Sequence, residues 1–344
     1  MNIKQVAALA GVSASTVSRT INQPEKVDAQ TADRVWRIIR ERNYVPNGQA
    51  RALVSGKSRI FGLIISDISN PFFPELVKSF DNSALRRNYD VLVASTDYRV
   101  DRLGSCVAKM IERQVDGLAI MTSELDREHL ADLYHRKLPM VFLDWGEVRP
   151  LVSRIVVDYE SGVSEAMRHL VSLGHKKIAF ISGPLALKSI HSRHSAFLKS
   201  LRELNIPRFK QVAMEGNHRV DGGEAVMRVL IAQSDRPTAV LAASDLTAIG
   251  ALRAIRAAGL DVPRDISLIG FDDIELSQYM HPPLTTIRLS REELGREAFD
   301  ALYRCAEGTT VQGQQIQIRT ALVLRESTGA ALRKPPRKNG QGPD

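Results

Sequence analysis

The sequence predicts an α/β protein of two doubly wound parallel lobes, preceded by a small all-helical head. Three observations carry that reading. At 344 residues the chain is too long for one compact module. From Ile60 onward, short and nearly continuous apolar runs alternate with helical stretches, the pattern of parallel sheets covered on both faces. Residues 1–59 are different: they carry ten basic side chains against four acidic ones and a pattern of short amphipathic helices. Composition agrees, since 44% hydrophobic and 25% charged residues suit a chain with large cores and argue against overall disorder.

In the head, Val6, Leu9 and Ala10 share a helical face before Gly11 breaks the run. Ser13 is placed to cap a second helix over 14–22, whose Val17 and Ile21 stand at i, i+4 spacing. Asp28 then caps a third helix over about 29–42, whose Val35, Ile38 and Ile39 can close a small core over Val6, Leu9, Val17 and Ile21. Helix, glycine turn and second short helix make the helix-turn-helix pattern, in which the second helix enters the major groove of DNA. Its outward residues Ala14, Ser15, Thr16, Ser18 and Arg19 are short, apart from one bidentate donor suited to guanine O6 and N7. A helical bundle that binds nothing fits the same spacing. The charge decides against it, because the whole body, 60–332, is nearly neutral with 33 basic and 34 acidic residues.

After Tyr44, Pro46 bars the third helix from continuing. A one- to two-turn helix over 47–53 would contain Gly48, at a cost of about 1 kcal/mol relative to Ala. So short a helix is marginal alone, which makes 46–59 a linker that folds on binding. Gly56-Lys57-Ser58 matches the end of a phosphate loop, but Arg51 stands where its first glycine belongs.

In the body, strands are expected over 60–65, 90–95, 115–121, 139–144, 154–158, 177–182, 238–243 and 265–271. Helices are expected over about 73–87, 101–113, 126–136, 160–173, 190–203, 221–233 and 245–258. This is too much for one compact sheet, so two lobes are expected with a boundary near 158–162. Ligands of open parallel sheets bind at the carboxyl ends of strands. Asp67, Asn70, Asp144, Asp158, Asp245 and Asp272 all fall there. Each alone reads best as a cap or turn residue; together they mark the rim of a cleft.

Catalysis finds little support. The chain has no GxSxG elbow, HExxH, paired CxxC or complete phosphate loop. His191 and His194 flank Arg193 but lack further ligands nearby, so neither metal nor cofactor is expected. Two cysteines, Cys106 and Cys305, argue against a disulfide scaffold. No apolar stretch is long enough for a membrane span, and the first thirty residues lack the apolar core of a secretory leader, so a cytoplasmic location is expected. The tail, 329–344, is rich in Pro, Gly and charge and is expected to be disordered.

The run IKQVAALAGVSASTVSRTIN, followed by RNYVPNGQARAL, resembles the DNA-binding head and hinge of the LacI/GalR family of bacterial transcription regulators. The likeness continues through SDISNPFF, GHKKIAFISGP, ASDLTAIGALRAI, DISLIGFDDI and PPLTTIRLSREELG, to about residue 328. The resemblance implies a periplasmic-binding-protein-like core with a small-molecule effector, a sugar or related metabolite, between the lobes. It implies a head over 1–45 and a hinge over 46–59. The first lobe would comprise 60–160 plus about 290–320, and the second 161–289 plus about 321–328.

The resemblance also implies roles for particular residues. Ala14, Ser15, Thr16 and Arg19 would read bases in double-stranded operator DNA, and Ser18, Asn22 and Tyr44 would hold phosphates. Asn47, Ala50, Arg51 and Leu53 would lie in the minor groove, with Leu53 as the apolar wedge. The effector pocket would include Phe72, Phe73, Arg193, His218, Ser244 and Asp272. Ser244 stands where relatives commonly have Asn, and Leu289 where some have Gln, so a cleft that selects an acid through Arg193 is as compatible as one that selects a sugar. The tail lacks the apolar heptads that join dimers into tetramers, which implies a homodimer. The competing expectation, a small-molecule binding protein without a role at DNA, leaves the basic head unexplained.

Overall fold

The structure, a computed structural model, describes residues 1–44, 56–125, 127–207 and 213–332. The hinge positions Asn47, Ala50, Arg51 and Leu53 lie outside the described residues, as does 333–344. The chain divides into two compact units, one ending at Arg59 and one beginning at Ile60.

The first unit holds three α-helices among its described residues. Helix α1 (Ile3–Ala10) opens on a capping box, in which Asn2 and Gln5 each accept the other's backbone N–H, and closes on Gly11 at φ 64°. Helix α2 (Ala14–Asn22) is capped by Ser13, whose Oγ accepts the Thr16 N–H at 3.1 Å. Helix α3 (Ala29–Glu41) is capped by Asp28, whose carboxylate accepts the Thr31 N–H at 2.9 Å and is thereby held below the usual carboxylate range. Val6, Ala7, Ala10, Val17, Val35 and Ile39 form the core, with Ile21 and Ile38 half-buried beside it. Leu9 does not join it and is 52% exposed. With Ile3, Val6, Ala7 and Ala10 on one stripe, Leu9 lies about 100° round the helix from its centre.

The second unit is built on β1 (Ile60–Ile65), β2 (Asp90–Ser95), β3 (Gly117–Met121), β4 (Met140–Leu143) and β5 (Val152–Asp158), then β6 (Ile178–Ser182), β7 (Ala213–Glu215), β8 (Ala239–Ala242), β9 (Ser267–Asp272), β10 (Thr285–Leu289) and β11 (Gln315–Val323). Their order is β2-β1-β3-β4-β5-β11-β10-β9-β8-β6-β7. Every pairing is parallel except β10 with β11. Strand β11 serves both lobes: residues 315–319 run parallel to β5, and residues 320–323 run antiparallel to β10. The helices are α4 (Phe72–Leu85), α5 (Val100–Glu112), α6 (Arg127–Tyr134), α7 (Tyr159–Ser172), α8 (Lys188–Glu203), α9 (Val220–Ile231), α10 (Asp245–Ala257) and α11 (Arg291–Ala306). The chain crosses between lobes from β5 to α7, from β10 to α11, and within β11.

Helix α11 returns to the first lobe and packs on α4, with no room for a side chain at Gly295, where a Cβ would meet the Leu76 carbonyl oxygen at 2.7 Å. Ser79 Oγ donates to the Glu292 carbonyl at 2.6 Å along the same contact. Beneath it Phe61 stacks on Tyr89 at 4.3 Å, and Phe299 meets Phe61 and Phe80 edge-on.

The segment expected to be disordered from residue 329 begins ordered. Gly329 N–H donates to Ser267 Oγ at 3.0 Å, and its carbonyl lies 3.0 Å from Nε2 of the buried His175. Ala331 N–H donates to the Leu173 carbonyl at 2.9 Å. Composition points to disorder here, but each of these backbone groups has found a partner on the second lobe.

Candidate functional site

On α2 the buried face is Val17 and Thr20, the latter donating its hydroxyl to the Thr16 carbonyl at 2.9 Å. That leaves Ser15, Ser18, Arg19 and Asn22, at i, i+3, i+4 and i+7, along the opposite side. Ser15, Arg19 and Asn22 are exposed, while Thr16 and Ser18 are half-buried. Ser13 gathers the start of the helix, with its Oγ 2.7 Å from Ser15 Oγ and 2.9 Å from Thr16 Oγ1. Asn22 Nδ2 donates to Ser18 Oγ at 3.3 Å. Ala14 and Tyr44 are half-buried against the core of the head, which leaves each only part of its surface for a partner.

In the second unit, the carboxyl ends of strands from both lobes converge on one cavity of about 40 Å³, room for a few water molecules. The first lobe contributes Asn70, Phe72, Phe73, Tyr98, Met121, Ser123 and Leu143; the second contributes Leu187, Ser189, Arg193, His218 and Asp272; Tyr159 comes from the first crossing and Leu289 from the second. Phe72 and Phe73 begin α4 and meet edge-on at 5.2 Å. Five of the six effector residues expected from sequence are thus brought together. Ser244 is not among the lining residues. It caps α10, its Oγ accepting the Thr247 N–H at 3.2 Å and lying 2.9 Å from Thr247 Oγ1, so local capping occupies the hydroxyl.

Arg193 is the electrostatic centre. Its guanidinium lies on the Phe271 ring, 3.8 Å from the centroid, donates to the Ala243 carbonyl, and pairs with Asp272 Oδ1 at 3.2 Å. Its Nε has no hydrogen-bond partner among the described residues. Burial pushes the Asp272 carboxyl up to about 6, although Arg193 and Arg291 both pull the other way. His218 is driven down to about 3, by burial first and Arg193 second, so its imidazole is neutral in ordinary buffers. His218 Nδ1 is buried without a partner among the described residues. The backbone is strained at the same place: Tyr98 (φ 58°), His218 (φ 63°) and Asp272 (φ 111°) all occupy positive φ.

The other rim carboxylates take the structural roles their positions suggest. Asp158 caps α7, and Asp245 accepts Thr286 Oγ1–H at 2.5 Å and Ile274 N–H at 2.8 Å. Asp144 lies behind the cavity, accepting the Tyr159 hydroxyl at 2.6 Å and the Val157 N–H at 2.9 Å. Asp67 pairs with Arg219 across the cleft at 3.3 Å, and Ser123 Oγ lies 2.8 Å from Ser189 Oγ beside it. Tyr98 and Tyr159 were missed from sequence. Both follow the carboxyl end of a strand, so the rule that found Asn70 and Asp272 would have found them had it been applied to aromatic residues. Among the described residues no three His, Cys, Asp or Glu side chains gather as a metal site, and no helix is long and apolar enough to cross a membrane.

A helix-turn-helix head and a two-lobed body with a lined interlobe cavity define a ligand-controlled transcription regulator. Residues 2–47 match the model of bacterial regulatory proteins of the lacI family, and residues 167–328 match that of the periplasmic binding protein-like domain. The HTH-type transcriptional repressor PurR of Photorhabdus laumondii is 36% identical over 327 residues, covering 94% of this chain and 96% of that one. The PurR repressor of Aliivibrio salmonicida is 33% identical over 326 residues, covering 94% and 98%. Among solved structures, the lac repressor dimer bound to operator and the anti-inducer ONPF superposes with a TM-score of 0.86 at 32% identity, covering 96% of this chain and 99% of that one. The complex of the regulator CelR with cellobiose gives 0.69 at 29%, covering 95% and 99%. The chain belongs to the lacI family and is a ligand-controlled transcriptional repressor.

Proposed function

We propose that the protein acts in the cytoplasm as a homodimer on a pseudo-palindromic operator, and that a neutral, hydroxylated metabolite such as a sugar controls it from the interlobe cavity. The observation that carries the choice of ligand is the Arg193–Asp272 pair. A carboxylate effector needs a free cation, and the charge of Arg193 is already met by Asp272. What the site offers is a donor at Arg193 Nε, an acceptor carboxylate, the neutral His218 ring and the aromatic edges of Phe72 and Phe73. That set suits hydroxyl groups on a compact apolar frame. At about 40 Å³ the cavity must widen to admit a sugar, so binding is tied to movement of the lobes.

On the head, Ser15, Thr16 and Arg19 read base edges and Ala14 touches a thymine methyl. Ser18, Asn22 and Tyr44 hold phosphates, which position without specifying. Asn47, Ala50, Arg51 and Leu53 form the minor-groove hinge, with Leu53 wedging a base step. The lobes comprise 60–160 with about 290–320, and 161–289 with about 321–328. Exposed apolar side chains support a dimer face along α4, β2 and residues 274–284: Leu85 is 62% exposed, Tyr279 71% and Leu276 51%, and β2 is an edge strand carrying the exposed Val93. The effector acts by population shift, favouring the lobe arrangement it binds better and so biasing whether paired hinges order. No catalytic step and no cofactor belongs to this mechanism.

The test is fluorescence anisotropy of the full chain with DNA from upstream of its own gene and that gene's neighbours, at two salt concentrations, against a scrambled duplex. Pools of neutral sugars, sugar acids and purines are then added. Specific binding that survives the higher salt and responds to the neutral sugar pool is the expected result. A response confined to the acids or the purines would refute the ligand class. Indifference to DNA across every fragment and pool would refute the regulator.

A further inference from the structure

Arg291, which does not line the cavity, carries an arrangement that neither effector binding nor DNA binding has used. It is the first residue of α11, immediately past the crossing from β10 into the first lobe. All three nitrogens of its guanidinium have acceptors, and those acceptors lie on both lobes. Nη1 donates to the Asp272 carbonyl and Nη2 to the Asp273 carbonyl, the latter at 2.6 Å. Nε donates to Glu75 Oε2 on α4 at 2.7 Å. The Arg291 side chain is only 12% exposed.

The two carbonyls explain why a planar fork is needed. Asp272 and Asp273 stand at φ 111° and 55°, where the chain turns away from the β9 ladder. Both carbonyls accept from the one guanidinium, and two adjacent oxygens are best met by two donors held in one plane. A guanidinium supplies them with a third to spare, whereas an ammonium is a single centre. The side chains of the same two residues are held from within the second lobe, Asp272 by Arg193 and Asp273 by Arg288 and Arg325, each of the last two at 2.6 Å. The loop that aims Asp272 into the cavity is therefore fixed to its own lobe by side chains and to the first lobe by backbone.

The first-lobe end of this link is equally defined. Glu75 lies in the first turn of α4, two residues beyond the cavity residue Phe73. Helix α4 is bound to α11 by the Gly295 contact and the Ser79–Glu292 hydrogen bond. Its other end presents the exposed Leu85.

We propose that Arg291 is a positioning residue that couples α4 of the first lobe to the Asp272 loop of the second, so that neither can shift in the cleft without the other. Its use in regulation rests on the effector reading above, but the coupling itself can be tested without an effector. The experiment is amide hydrogen exchange of the full chain, reading residues 273–279, where Ile274 N–H donates to Asp245 Oδ2 and Ser277 N–H to the Ile274 carbonyl. Residues 178–182 in β6 are the control. Glu75→Ala touches only the first lobe, yet exchange over 273–279 should rise about tenfold, the effect of one charge-assisted hydrogen bond. Glu75→Gln, which keeps an acceptor, should give about threefold, and Arg291→Lys should match or exceed the alanine variant.

If Arg291→Lys loosens the loop while both Glu75 variants leave it unchanged, Arg291 is only a local bracket and the coupling is refuted. A rise that extends equally to 178–182 is general destabilisation and refutes it too. Coupling that holds while every sugar pool leaves operator binding unchanged would support Arg291 and sink the effector reading alone.

Discussion

Of the side chains assigned to recognition on the head, Ser15, Arg19 and Asn22 stand in water along one stripe of α2, whereas Arg193, His218 and Asp272 in the body are each less than a tenth exposed. Groups of the first kind are desolvated only when a partner arrives, so they contribute to binding and almost nothing to folding. Groups of the second kind are already out of water, and the fold depends on how well they satisfy one another. Substitution should therefore separate the two regions: head variants change affinity at constant stability, and cavity variants change both.

Arg193→Met tests this most severely. It leaves Asp272 buried without its partner, and we expect a loss of about 3–5 kcal/mol in stability together with loss of the effector response, operator binding by the effector-free protein being retained. Denaturant titration beside anisotropy checks both; unchanged stability would erase the contrast. Arg19→Ala should lose roughly 1–3 kcal/mol at one guanine and relax specificity there, with the head's melting temperature unmoved. Equal losses on every sequence would make Arg19 a phosphate contact.

A smaller effect comes from protons. With the Asp272 carboxyl near 6, ionised above and protonated below, effector affinity should fall as pH drops, by about tenfold between pH 7 and pH 5. Asp272→Asn should bind weakly at both pH values and show no such slope. A wild-type profile flat over that range would remove the carboxylate from recognition. Smallest is Ser244→Ala, which should cost about 1 kcal/mol in stability through the lost cap and leave effector affinity unchanged. Weakened effector binding would return Ser244 to the site.

The same contrast explains what the sequence made legible. Strand β1 falls on the residues its apolar run delimits, because a strand covered on both faces is apolar throughout; β2 matches its run as well, although as an edge strand it is only half-buried and leaves Val93 exposed. Strand β11 escaped for the opposite reason. QIQIRTALV alternates polar with apolar, and at its lobe-bridging position one side remains open to solvent. Three of the five residues of strand β10 are threonine or arginine, so it shows no apolar run. In the cavity, Phe72, Phe73, Arg193, His218 and Asp272 could be placed by position along a matched motif. Whether a polar group there faces a ligand or its own backbone is set by tertiary geometry, as Ser244 and Asp245 show. Leu9 was misplaced in the head because spacing alone could not choose between two faces when half of the true stripe, Ile3, Val6, Ala7 and Ala10, is alanine.

The shared strand β11 has a consequence for how the protein is made. The first lobe lacks its closing helix and edge until residues 291–319 exist, and the second lobe lacks the partner of β10 until residues 320–323 follow. Neither half can be completed on the ribosome ahead of the other, while the head, which draws its core from residues 3–44 alone, needs nothing that comes later. The DNA-reading part is thus folded long before the part that governs it. A message cut short after the second lobe has begun but before β11 yields a finished head attached to two unfinished lobes, a product that retains its contact surface for DNA but has lost the means of answering a ligand.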